Sequence, residues 1–353
     1  MPPASGPVSD LLTVPAARRE AITRFLDALR PGMTVALSTH VNADGDGCGS
    51  EAALARLLAQ RGVRAVVVNP TPWPESFRWL LGEDVTEWSG RGAEALRTVD
   101  RLIVLDISDI RRLGSLASTV RALPQDALVI DHHLPSDEPP GAVMVSDTRA
   151  CATAELVYDL AVVAGLEVTP AIAEALYTAM VTDTGGFRFG NTSPRCLAVA
   201  AELLRVGVDP ERMYARIYGS VPLGRIHLLR DVLGTLEVDL EHGMAWVRVD
   251  AGVLERCGAT SEDLDGVVEH PRSIAGVRLA LLFRDVGTAQ VKVSFRSVAG
   301  VNVHPLAQRF GGGGHARASG ALIGGSLTSV MGKVLDEARR LLAAGALADG
   351  AAQ

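Results

Sequence analysis

No run of lysine or arginine occurs anywhere in this chain of 353 residues, and acidic side chains outnumber basic ones, 41 to 34, for a formal net charge of −7. A protein that grips long nucleic acid through many phosphates needs a basic track, so this balance argues against that class. A short anionic substrate held by a few local cations remains compatible. Cysteine is scarce too: Cys48, Cys151, Cys196 and Cys257 stand far apart with no CxxC pair. They read as reduced, buried small side chains rather than disulfides or a zinc knuckle. No apolar run is long enough to span a bilayer, and Met1 to Gly6 lacks a basic segment followed by an apolar one. These absences predict a cytoplasmic protein that makes no membrane contact. What is present is material for a core, 48% hydrophobic against 21% charged residues, on a length suited to two domains.

Residues 1 to about 15 read as a loose leader and Ala16 to Leu29 as an amphipathic helix. Thr34 to Thr39, Ala65 to Asn69, Leu102 to Ile107 and Leu128 to Asp131 read as strands, and Glu51 to Gln60 as a helix with Ser50 as its N-cap. Continuous apolar strands alternating with helices imply an α/β fold with a parallel sheet covered on both faces. Helical patterns dominate from Cys151 to Leu233, including one expected helix over Tyr214 to Leu233. Beyond Leu240 the pattern turns strand-like, at Ala245 to Asp250, Val277 to Arg284 and Gln290 to Arg296, with Asp285 to Thr288 as a hairpin turn. Leu327 to Leu342 reads as a closing helix, and the Ala/Gly-rich tail is expected to fray. The resulting division is a first domain over 16–213, a helical linker over 214–240 and a smaller α/β domain over 241–345.

Aspartates and histidines gather at the expected strand ends. His40, Asp44 and Asp46 follow the first strand, Asp106 ends the third, Asp131-His132-His133 closes the fourth, and Asp183 sits in VTDTGG. In an open α/β sheet the C-terminal strand edge is where ligands bind, which brings distant segments to one rim. Two carboxylates about 4 Å apart repel by roughly 4 kcal/mol at an effective dielectric of 20. Divalent cations remove that cost, so the constellation points to a two-metal hydrolase. Each segment alone has a plainer account: aspartates capping a helix, a strand-end Asp106 paired with Arg111 or Arg112, or a helix-end Asp183. The glycines of Gly47-Cys48-Gly49-Ser50 are expected to let the loop bend sharply. Asp131 is expected to orient His132 as a ligand, leaving His133 to meet the substrate. Far downstream, Gly311 to Gly314 precede His315 and Arg317, a pattern that suits an anion held by backbone N–H groups. Arg296 adds a second cation on the neighbouring strand.

These stretches (His40 to Ser50, Asp106 to Asp109, Asp131 to His133, Tyr177 to Asn191 and Phe310 to Gly320) resemble the DHH phosphoesterase superfamily with its DHH-associated C-terminal domain. Within it the chain looks like the nano-RNase branch, whose members cleave short oligonucleotides and remove the 3′-phosphate of adenosine 3′,5′-bisphosphate. The resemblance runs from about Arg24 to Leu342; Ala43 stands where the family often has proline, and Cys48 where alanine is common.

The resemblance implies an active site in the cleft between the domains and two metal ions. His40, Asp44 and Asp106 would hold one, and Asp46, Asp106, His132 and Asp183 the other, with Asp106 bridging. Mixed imidazole and carboxylate donors suit manganese better than magnesium. The metals and His133 would stabilise charge on the phosphoryl oxygens, and His133 would help protonate the leaving oxygen; Asp131, Asp106 and His133 are the expected catalytic residues. Gly313, Gly314, His315, Arg296 and Arg317 would hold the substrate's terminal phosphate or a neighbouring nucleotide. Expected substrates are short oligonucleotides, dinucleotides such as pApA and nucleotide bisphosphates, with cyclic di-AMP as a secondary one. A homodimer is also implied. A processive single-strand exonuclease, an inorganic pyrophosphatase and a silent nucleotide sensor are the competing readings.

Overall fold

Apolar strands alternating with helices should bury a sheet on both sides, and the computed structural model, which describes residues 8–348, contains such a sheet. Its strands are β1 (Thr34–Ser38), β2 (Arg64–Val67), β3 (Thr86–Glu87), β4 (Arg101–Leu105), β5 (Leu128–Asp131) and β6 (Val143–Ser146). They lie in the order β3-β2-β1-β4-β5-β6, every pair parallel. Side chains alternate across a strand. Val35, Leu37, Ile103, Leu105, Leu128 and Ile130 therefore pack on one face, against helices Ala16–Asp27, Gly45–Gln60, Thr153–Ala164, Pro170–Asp183 and Pro194–Val206. Ala36, Val66, Leu102 and Val104 pack on the other, against Leu96, Ile110, Leu113 and Val120. Chain direction across the sheet switches between β1 and β4, which makes their C-terminal ends the expected ligand crevice.

A second unit begins after Ser220. It holds a mixed sheet of β7 (Glu237–Asp239), β8 (Met244–Val249), β9 (Leu279–Gly287), β10 (Gln290–Ser297), β11 (Gly313–His315) and β12 (Ala318–Gly324), ordered β11-β12-β10-β9-β8-β7. Only β8 and β9 pair in parallel. Met244, Leu281, Phe283, Val293 and Phe295 bury one face under the closing helix Leu327–Ala343, and Val247, Val249, Ala280 and Leu282 meet helix Leu223–Leu233 on the other.

Several expectations are corrected. The single helix over Tyr214 to Leu233 is two, Pro210–Ile217 and Leu223–Leu233. Pro222 forces Val221 out of helical geometry, and the two helices pack with different units. The hairpin turn lies at Thr288 and Ala289, not Asp285 to Thr288. Both take φ above +50°, the handedness that matches strand twist. Strands β1, β2 and β4 each end one or two residues earlier than expected, leaving Thr39, Asn69 and Asp106 free for side-chain work. Of the expected leader, Val8–Leu11 is a one-turn helix, while residues 1–7 lie outside the described ones. Of the tail, Ala348 bridges to Val301, while 349–353 lie outside the described residues. The four cysteines are free and buried. No helix among the described residues is long and apolar enough to cross a membrane.

Candidate active site

Asp106 follows β4 and adopts φ +61°, a left-handed conformation that ends the strand and turns its carboxylate. Such a φ is uncommon outside glycine, although aspartate tolerates it better than most, and it is a form of strain found at functional sites. The Asp106 amide donates to Ile130 O at 3.0 Å, and its Oδ1 accepts from Thr153 Oγ1 at 3.1 Å. His40, just past β1, puts Nε2 at 3.4 Å from Asp106 Oδ2 and 3.5 Å from Asp44 Oδ2. Its Nδ1 lies 2.9 Å from Val41 O, so the proton belongs there and Nε2 is left facing the two carboxylates. Burial works against a charge on this imidazole, yet the facing Asp106 and Asp44 carboxylates prevail and push its pKa up to about 10.

The segment after His40 folds differently from the sequence reading. Helix Gly45–Gln60 starts six residues before Glu51, and Asp44 rather than Ser50 is its N-cap, accepting from Asp46 N at 3.0 Å and Gly47 N at 3.1 Å. Capping and metal holding are thus not alternatives for Asp44, because Oδ1 caps while Oδ2 faces His40. The glycines do not bend a loop either. A Cβ on Gly45 would come 2.3 Å from Thr182 Oγ1, on Gly47 2.7 Å from Thr39 Oγ1, and on Gly49 2.4 Å from Ala175 O. They let this helix press against helix Pro170–Asp183 and against the end of β1.

Asp46 is 1% exposed. Its Oδ2 accepts from Thr153 N at 2.7 Å, and its Oδ1 from Ala154 N at 3.2 Å and Ser50 Oγ at 3.1 Å. It thereby caps helix Thr153–Ala164, whose own N-cap, Ala152, has no side chain to do so. Burial, then the charges of Asp106, Asp183 and Asp44, drive the Asp46 pKa upward. Asp183 ends its helix, accepts from Asn191 Nδ2 at 3.0 Å, and is raised to about 6 by burial despite the opposing His132, with Asp106 and Asp44 adding to the rise.

His132 Nε2 lies 3.6 Å from Asp106 Oδ1 and 3.7 Å from both Asp46 Oδ2 and Asp183 Oδ2. These separations are too long for hydrogen bonds. His132 Nε2 and His40 Nε2 are accordingly buried without a hydrogen-bond partner. Donors about 3–4 Å apart are what bonds of roughly 2.0–2.2 Å to a shared cation produce. Three donor groups lie within 4.8 Å: His40 with Asp44 and Asp106, Asp46 with His132 and Asp183, and Asp106 with His132 and His133. Clustered carboxylates that burial and mutual repulsion push toward protonation, beside imidazole nitrogens lacking a partner, fit divalent cations well. These groups can hold a metal.

The expected pairing of Asp131 is corrected. Its Oδ1 lies 2.8 Å from His133 Nδ1, whereas His132 Nδ1 faces Ala150 O at 3.3 Å. Burial tends to lower the His133 pKa, but Asp131 and the charge of Asp106 outweigh it and leave it raised. Arg111 and Arg112 do not pair with the Asp106 carboxylate; Arg111 binds Asp109, and Arg112 donates to the Asp106 carbonyl at 3.3 Å. Thr153, which touches both Asp46 and Asp106, is invisible in sequence because a threonine after Cys-Ala carries no signature.

In the second unit, Gly313 and Gly314 form β11, paired with Gly320 and Ser319. A Cβ on Gly312 would come 2.1 Å from Gly320 O and one on Gly314 2.6 Å from Ala318 O, so the glycines first serve to lay this strand close against β12. The His315 backbone pairs with Ala318, and its side chain lies outside the described structure. Arg317 is exposed. Arg296 Nε is 3.7 Å from Glu269 Oε1, and Arg296 lines a cleft with Arg284 and Lys292, two cations the sequence reading missed. Lys292, Ser294 and Arg296 alternate along β10, the signal that would have found them.

A family model for the DHH family, N-terminal domain, matches residues 34–180, and one for the DHHA1 domain matches 250–344. The bifunctional oligoribonuclease and PAP phosphatase NrnA of Thermus thermophilus is 36% identical over 312 residues, covering 87% of this chain and 89% of that protein. The chain belongs to the DHH phosphoesterase family. The NrnA of Bacillus subtilis is 30% identical over 297 residues, 82% of this chain and 89% of its own length. An exopolyphosphatase-related protein from Bacteroides fragilis superposes with a TM-score of 0.83 at 26% identity, covering 94% of this chain and 99% of that one. Membership in this family makes the chain an enzyme acting on phosphate esters, and the cluster around Asp106 supplies residues for that chemistry.

Proposed function

We propose that this protein is a manganese-dependent two-metal phosphodiesterase that hydrolyses short oligoribonucleotides and dinucleotides such as pApA to 5′-mononucleotides. Removal of the 3′-phosphate from adenosine 3′,5′-bisphosphate is its second activity, and ring opening of cyclic di-AMP a secondary one. The observation that carries the reading is Asp106, whose Oδ2 faces His40 at 3.4 Å while its Oδ1 faces His132 at 3.6 Å. One carboxylate thereby serves two donor groups. The names of the T. thermophilus and B. subtilis relatives, oligoribonuclease and PAP phosphatase, favour these substrates.

His40, Asp44 and Asp106 would hold one cation, and Asp46, Asp106, His132 and Asp183 the other. When bound, such cations lower the pKa of water and neutralise charge on a phosphoryl group. Asp131 holds the proton of His133 on Nδ1 and favours the doubly protonated ring, so Nε2 can donate a hydrogen bond to a phosphoryl oxygen and then a proton to the leaving oxygen. Thr153 and the Thr153 and Ala154 amides fix the Asp106 and Asp46 carboxylates against rotation. In the second unit, Gly313, Gly314, His315, Arg317 and Arg296 are assigned to the substrate's terminal phosphate.

The test is hydrolysis of pApA by metal-stripped protein with and without manganese, wild type beside Asp106→Ala. Manganese-dependent AMP release by the wild type, lost in the variant, supports the reading. Near-normal turnover in the variant sinks the shared role of Asp106, and no turnover in the manganese-loaded wild type sinks the activity.

A further inference from the structure

The chain has only 15 aromatic Phe, Trp and Tyr residues in 353, and among the described residues the large exposed ones are Phe189, Tyr214 and Tyr218. All three lie in the first unit, within thirty residues of one another in the chain. Phe189 belongs to the loop that leaves Asp183. Its amide donates to Thr184 O at 3.0 Å, and Asn191 two residues on ties the loop back to Asp183 Oδ2 and to Cys151 O. Phe187 takes φ +63°, an unfavourable value for a bulky side chain. Its ring turns inward to meet Tyr177 edge-on at 6.0 Å between centroids. Phe189 is turned the other way. Its ring lies on Gly185, where a Cβ would come 2.4 Å from Phe189 Cζ, yet the residue stays 54% exposed. The loop thus strains its backbone and gives up a side chain at Gly185, two residues after the candidate metal ligand Asp183, to hold the Phe189 ring with one face backed and the other open.

We propose that Phe189 is a substrate-binding residue on which a nucleobase of the short oligonucleotide stacks, so that the first unit grips its substrate by the base as well as by the phosphate. This rests on the phosphodiesterase reading and deepens it. A chain of net charge −7 has little phosphate attraction to spend on a two-nucleotide substrate. Base–aromatic stacking supplies affinity that needs no charge and tolerates every base, since each has a π face. The exposed rings of Tyr214 and Tyr218 lie tilted against each other at 5.5 Å between centroids.

The test compares Phe189→Ala and Phe189→Trp with wild type on pApA and on an abasic analogue with hydrogen at both C1′ positions, each with manganese. A lost stack is expected to raise KM for pApA by roughly five- to a hundredfold in Phe189→Ala, with kcat little changed. Phe189→Trp should retain wild-type KM, and the abasic analogue should be processed equally by all three. An equal loss on both substrates would make Phe189 a prop for the loop and overturn the proposal, as would an unchanged KM for pApA. Calorimetric binding of pApA to the metal-stripped proteins separates the two readings. Phe189-dependent binding without turnover in the wild type discards the phosphodiesterase and keeps the stack, whereas turnover with Phe189-independent binding does the reverse.

Discussion

Asp131 Oδ1 and His133 Nδ1 meet at 2.8 Å, and Asp131 is fully buried, so the second histidine of the Asp-His-His run is oriented by the aspartate that opens it. Asp131→Asn keeps the shape but removes the charge that selects the tautomer and favours the imidazolium. We expect kcat on pApA to fall by about a hundredfold or more, a general acid's usual share, with little change in KM. Losing Asp131 lowers the His133 pKa. The alkaline limb of the kcat–pH profile should therefore move to lower pH, and a limb that stays put would remove His133 from proton transfer.

Without metal the carboxylate cluster should make stability depend on pH. Burial and neighbouring charge raise Asp183 to about 6 and drive Asp46 upward. An acid raised above its unfolded value favours the folded state when protonated, so its contribution is present near pH 4 and is lost as pH rises through about 6. Metal-stripped protein should be more stable at pH 5 than at pH 7.5, by on the order of 2 kcal/mol in urea denaturation. Manganese should erase or reverse the difference, and Asp183→Asn should flatten it.

Gly47→Ala ought to gain helix propensity, yet its Cβ would meet Thr39 Oγ1 at 2.7 Å and Cγ2 at 2.9 Å, while Thr39 Cβ lies at 3.2 Å. We expect the substitution to destabilise the fold by about 1–3 kcal/mol and to weaken manganese binding by loosening the Asp44 cap. Thr39→Ala in the same chain removes the two closer atoms and should restore most of both. Additive losses in that double-mutant cycle would refute the contact.

Arg18 is a buried cation joining the Ala16–Asp27 helix to Asp147, Glu155 and Asp159, at 2.8, 3.0 and 2.5 Å. Arg195 reaches Glu155 and Asp159 from another side. Arg18→Ala leaves buried carboxylates short of a partner and should cost about 3–5 kcal/mol of stability. Because none of these side chains is among the candidate cation-holding groups around Asp106, the folded variant should retain kcat within a few-fold, measured below its melting temperature.

Much of the candidate site was legible because three of its segments, at His40, Asp106 and Asp131 to His133, pair an apolar strand with an acid or imidazole at its end, a pattern that topology converts into proximity; Asp183, at a helix end, carries no such signal by itself. Less legible were partners acting through backbone or through volume. Thr153 and Ala154 hold Asp46 by amides, which every residue has. Gly45, Gly47 and Gly49 matter for atoms they lack, and only the facing helix reveals that. The exchange of partners at Asp131 had the same origin, since both histidines are within its reach in sequence and only the left or right turn of the backbone after β5 decides between them. The break at Val221-Pro222 could have been read from proline alone, but the apolar pattern on either side of it is continuous.

Asp46 closes the start of a helix that begins 107 residues further along the chain. This ties inheritance of the fold to inheritance of the candidate site. A descendant that drifted out of enzymatic use would be free to replace His40, whose imidazole serves no structural element. It would be slow to lose Asp46, because a replacement without two acceptor oxygens leaves at least one of the Thr153 and Ala154 amides short of a partner. Among relatives that no longer turn over substrate, the aspartate should therefore outlast the histidine.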